Sequence, residues 1–105
     1  MPYIKKENRE KVDKEINALI EKIIETPANE LNGTLNYIIT RLLESSMTGE
    51  IRYNKINNMV GVLECAKMEM YDRIAKPYEF KKMCEEGDVK ETEELISKLN
   101  EKLPF

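Results

Sequence analysis

An all-α fold is predicted: a small bundle of three to four helices, oligomeric, with one long proline-kinked central helix. Three observations predict it. Apolar residues recur at steps of three and four along nearly the whole chain, and no stretch alternates with the period of two that a strand requires. The longest such stretch, residues 57–86, carries its only helix breaker at Pro77. Beyond Pro77 the positions Tyr78, Phe80, Met83 and Cys84 remain apolar, more than a domain of 105 residues covers by itself, so a second copy of the chain is expected over them.

In chain order, Tyr3 and Ile4 form an apolar lead-in. The first helix is expected over about residues 7–25, with Val12, Ile16, Leu19, Ile20, Ile23 and Ile24 on its inner face, and Thr26-Pro27 ends it. Asn32-Gly33 reads as a turn. Thr34 is the expected N-cap of a second helix over about 34–45, whose apolar set is Leu31, Leu35, Ile38, Ile39, Leu42 and Leu43. A loop around Gly49 follows, and Ile51-Arg52-Tyr53 is short enough to be extended. Asn54 is the expected cap of the central helix, about 54–86, kinked near Pro77 and stopped by Gly87. Its main stripe is Ile56, Met59, Val60, Leu63, Ala66, Met70, Tyr71 and Ile74, widened by Val62 and Cys65. Gly61 costs about 1 kcal/mol relative to alanine there, and is read as a point of close approach. Glu69 and Arg73, four apart with the acid first, form an expected ion pair. Asp88 and Glu91 have capping-box spacing for a last helix over about 89–101, which buries Val89, Leu95, Ile96 and Leu99. Leu103-Pro104-Phe105 is a terminal apolar tag.

Length and charge bound the function. At 105 residues a single domain, 1–105, with one modest core is expected. A net charge of −3 argues against generic nucleic-acid binding, which shows a basic excess. No apolar run reaches the ~18–20 residues that cross a bilayer, and the first residues lack a signal-peptide core, so a cytoplasmic protein with no membrane partner is expected. The two cysteines, Cys65 and Cys84, lie nineteen residues apart. On one helix that is ~28 Å, beyond disulfide reach, and both are expected reduced and half-buried. With no histidine in the chain, neither a zinc site nor an activated nucleophile is expected, and no cofactor is assigned.

Several segments resemble a family of short bacterial and phage proteins of unknown function. They are Met1-Pro2-Tyr3-Ile4-Lys5, Leu35-Asn36-Tyr37-Ile38-Ile39-Thr40-Arg41-Leu42 and Gly61-Val62-Leu63-Glu64-Cys65-Ala66-Lys67. The likeness continues through Glu69, Tyr71, Arg73, Pro77-Tyr78-Glu79 and Glu86-Gly87-Asp88-Val89, and leaves out the last helix and the spacer 29–32. It implies membership, a phage-type setting, and no particular activity.

The polar members of these segments are the candidate ligand-binding residues: Asn36, Tyr37, Thr40, Arg41, Glu64, Lys67, Tyr71, Arg73 and Tyr78. Glu64, Lys67 and Tyr71 share a helix face. They either fix helix register or line a polar pocket at a helix or subunit junction, where Arg and Lys hold phosphate and Tyr stacks on a base. In size and helical class the chain is similar to small phage proteins that sequester the cyclic-nucleotide signals of host immunity, and by that analogy the expected function is a non-enzymatic phage-type binding protein that counters host defence by sequestering a cyclic or other nucleotide. One alternative is an inhibitor that binds a host defence protein, such as a CRISPR effector, through its acidic surface. A second is a structural or regulatory accessory subunit with no small-molecule ligand. A third is a magnesium-dependent all-α nucleoside triphosphate pyrophosphatase, in which Glu69 and Asp72 would hold the metal. The upstream Glu-Glu-x-x-Glu motif of such enzymes is missing here.

Overall fold

The computed structural model describes residues 3–101. The described residues hold helices and turns, with no strand among them. Five α-helical segments follow in order: α1, Glu10–Glu25; α2, Leu31–Ser45; α3, Tyr53–Met70; α4, Lys76–Glu86; and α5, Lys90–Glu101. A π-helical turn, Tyr71–Ala75, joins α3 to α4. The expected terminal tag, Leu103 to Phe105, lies outside the described residues.

The helix starts differ from the cap signals, each for a local reason. No capping side chain precedes Glu7, so Lys6–Asn8 closes as a 3₁₀ turn and α1 begins only at Glu10. Asn8 and Arg9 donate their amides to the Lys5 and Lys6 carbonyls at 2.9 and 3.2 Å. The α1 terminus is as expected: Thr26, held extended before Pro27, donates its hydroxyl to the Lys22 carbonyl at 2.9 Å. Pro27 then opens a second 3₁₀ turn, Ala28–Glu30, and α2 grows directly from it at Leu31. Asn32 and Gly33 are thus inside α2 rather than in a turn, and Thr34 is not its cap. α3 likewise starts at Tyr53, because the Arg52 carbonyl accepts from the Lys55 and Ile56 amides, so Asn54 is helical and not a cap. Asp88 accepts from the amide of Val89 at 2.7 Å, two residues short of the Glu91 amide that the expected capping box requires, and α5 starts at Lys90.

Residues 53–86 are helical without interruption, straight through Pro77. Proline has no amide to donate and its ring crowds the carbonyl four residues earlier. The π turn accommodates this: the Lys76 amide reaches back five residues to the Tyr71 carbonyl, and Pro77 falls in the first turn of α4, where an amide is dispensable. α4 stops at Gly87, whose φ of +90° suits glycine and whose amide donates to the Met83 carbonyl at 2.8 Å.

The chain divides into two units, Met1–Val62 and Leu63–Phe105. In the first, α1 packs on α2, and the half-buried apolar residues Leu19, Ile23, Leu31, Leu35, Ile38 and Leu43 mark their contact. In the second, α4 continues the π turn, Ala75 and Met83 are half-buried, and α5 is exposed along its whole length. The modest core expected from the sequence is not formed: no described residue is buried, and large apolar side chains of every α-helix face solvent. Cys65 and Cys84 are free and exposed rather than half-buried. Gly61 has no neighbour within 4 Å of where a Cβ would stand, so nothing in its own chain approaches it closely.

Candidate functional site

The candidate residues of the first unit all lie on α2. Tyr37, Arg41 and Ser45 are four apart in sequence and therefore stacked on one face. Together with Ile38, Leu42 and Leu19 of α1 they line an open concavity of about 230 Å³. The Arg41 guanidinium carbon lies 5.8 Å from the centre of the Tyr37 ring, a cation–π distance. No carboxylate lines this concavity. Asn36 and Thr40 are each about 100° round the helix from Tyr37 and Arg41 and do not line it.

The remaining arginines are engaged. Arg9 donates to the Ile4 carbonyl at 3.2 Å, Arg52 pairs with Glu50 at 2.9 Å, and Arg73 pairs with Glu69 at 2.9 Å. Among the described residues, Arg41 alone of the four has the tyrosine ring as its partner and no oxygen acceptor.

In the second unit, Glu64, Lys67 and Tyr71 do line one concavity, of about 460 Å³, with Met68, Asp72 and Lys76. Its charges neutralise one another. Lys67 lies 3.4 Å from Glu64, and Lys76 lies 2.9 Å from Asp72 and 5.7 Å from the centre of the Tyr71 ring. The hydrogen bond that the Lys76 ammonium donates to Asp72, reinforced by the carboxylate's charge, raises the Lys76 pKa above its ordinary value of 10.5. Arg73 and Tyr78 do not line this space. Arg73 makes the expected helical pair with Glu69, and the Tyr78 ring has Lys82 at 5.9 Å. The Asp72–Lys76 pair was legible as acid-first spacing of four, the same signal that identified Glu69–Arg73.

A third, smaller concavity, about 160 Å³, lies where α2 hands over to α3, lined by Ser46, Met47, Thr48, Lys55, Asn58 and Met59. The Lys55 ammonium donates there to the Thr48 carbonyl and fixes the loop. No motif marked this contact, which joins residues seven apart across a turn.

Glu69 and Asp72, the carboxylates of the enzymatic alternative, each face a basic side chain one turn on. Among the described residues no three His, Cys, Asp or Glu side chains are grouped to hold a metal ion. No helix of the described residues is long and apolar enough to cross a membrane.

The matched family model is that of a domain of unknown function, DUF6899, over residues 1–89. The chain belongs to this family. The DUF6899 span takes in both groups of candidate residues and ends before α5, so the last helix is an addition to the matched domain. No curated protein and no solved structure matches the chain.

Proposed function

We propose that this DUF6899 protein is a non-enzymatic binding protein that completes its core by assembling with copies of itself and sequesters a nucleotide ligand where the copies meet. One observation carries the reading. No described residue of either unit is buried, and large apolar side chains are exposed on every α-helix, more uncovered apolar surface than a folded soluble monomer leaves bare. A second copy is the partner always present in the right amount, and it brings the same apolar faces.

In the assembly we propose, the run over residues 53–86, bent at the π turn ahead of Pro77, is the central element, and the 105 residues act as a single domain. α3 suits this place because its apolar residues surround its axis, from Val60 and Leu63 on one side to Val62 and Met68 on others. The pairing of Glu69 and Asp72 with basic residues favours binding over magnesium catalysis. In the biological setting proposed with it, the phage-type origin rests on the sequence resemblance, the action against host defence on the analogy of size and helical class, and the cytoplasmic location on the lengths of the apolar runs.

Native mass spectrometry of protein purified gently from cell extract tests the reading. The expected spectrum shows a symmetric oligomer that releases a nucleotide-sized ligand on activation. A ligand-free monomer would overturn it, and would shift weight to an inhibitor of a host protein or an accessory subunit.

A further inference from the structure

We infer that the ligand is gripped by Tyr37, Arg41 and Ser45 on α2, and that it carries a phosphate and a flat aromatic group, as a nucleotide does. The inference rests on the assembly reading above and selects between the two concavities that hold candidate residues. In the Glu64–Lys67–Tyr71 concavity both lysines are already neutralised, and its two carboxylates repel an anion. In the Tyr37–Arg41 concavity the positive charge is unspent and no acid is present.

The chemistry of the two ends differs in the way such a ligand requires. A guanidinium that lies over an aromatic ring uses its face there and keeps its in-plane N–H donors for a bidentate oxyanion. The Ser45 hydroxyl, one turn beyond Arg41, supplies a further donor on the same face. Leu19, Ile38 and Leu42 form an aliphatic wall beside Tyr37, on which a base lies flat. At about 230 Å³ the concavity falls below the ~300–1,000 Å³ of ordinary ligand sites. It is open, so a partner copy must supply the opposite wall. The competing occupant of an unpaired arginine is a partner's carboxylate, and the test separates the two.

Wild-type protein and the variants Arg41→Gln, Arg41→Lys, Tyr37→Leu and Lys67→Gln are titrated with a panel of purine and pyrimidine nucleotides, linear and cyclic, and with inorganic phosphate. Bound mass and oligomeric state are read together by native mass spectrometry. The expected result is an unchanged oligomer in every variant. Nucleotide binding falls at least tenfold in Arg41→Gln and Tyr37→Leu, recovers partly in Arg41→Lys, and stays within twofold in Lys67→Gln. Phosphate alone binds more weakly than any nucleotide that binds. An intact wild-type oligomer that takes up no nucleotide overturns this inference and leaves the assembly reading standing. So does an Arg41→Gln protein that falls apart, because Arg41 is then a subunit contact. A wild-type monomer overturns the assembly reading itself.

Discussion

Gly87 and Gly33 show how differently one residue type acts in two places. Gly87 has φ +90° and ψ 154°, a region that side-chain-bearing residues enter at a cost of about 1–3 kcal/mol. Gly33 lies inside α2, where a built Cβ meets nothing within 4 Å and alanine is preferred by about 1 kcal/mol. Opposite shifts are therefore expected in thermal unfolding followed by circular dichroism: Gly87→Ala lowers the midpoint and Gly33→Ala raises it. Equal shifts of one sign would contradict the backbone assignment at Gly87. The ion pairs are a smaller matter at this scale. Four of the ion pairs among the described residues have both side chains exposed, and such pairs are worth about 0–1 kcal/mol each. The Glu69–Arg73 pair was readable from spacing alone because both partners sit on one helix, whose geometry is local. The Tyr37–Arg41 contact, four apart on α2, has the same local spacing, whereas the partner of Lys55 was not readable, since it depends on how the loop at Thr48 stands alongside the helix.

At the scale of elements, α5 is the helix whose apolar stripe the proposed assembly most needs to cover. Leu95, Ile96 and Leu99 form a narrow stripe, bordered by Glu91 and Glu93, and Leu95 and Leu99 are 64% and 61% exposed. In the isolated chain, replacing Leu95 by aspartate removes almost no contact. In an assembly it places a charge in an apolar interface. The expected outcome for Leu95→Asp is helical circular dichroism close to wild type together with a shift to smaller species in analytical ultracentrifugation. An unchanged sedimentation profile would show that α5 takes no part in assembly. The existence of all the helices was legible from periodicity, and so were their ends at Thr26 and Gly87, where proline and glycine act through their own backbone. Their starts were less legible. Thr34, Asn54 and Asp88 carry capping chemistry, but the 3₁₀ turn Ala28–Glu30 starts α2 ahead of Thr34, the Arg52 carbonyl starts α3 ahead of Asn54, and Asp88 engages the amide of Val89 next to it, so the helices begin elsewhere.

For the whole molecule the decisive quantity is apolar surface. No described residue is buried, and in the assembly proposed above the chain gains its cooperativity from partners, so its stability is tied to protomer concentration by mass action. The unfolding midpoint is expected to rise steadily as protein concentration is raised a hundredfold, with no plateau characteristic of a monomer at the lower end. A midpoint independent of concentration would mean that the chain closes its core by itself. The sequence alone determined the all-helical class and the amphipathic stripes, because the 3.6-residue period and the backbone effects of proline and glycine act within a few residues. The tertiary structure decided what the stripes do. It showed that packing α1 on α2 encloses no residue fully, and that among the described residues no acid comes to Arg41, which is left with a tyrosine ring. Enclosure, and which charges stay without a partner, depend on groups brought together in space, whereas spacing along the sequence gives only the pairs within one helical run, such as Glu64–Lys67 and Asp72–Lys76.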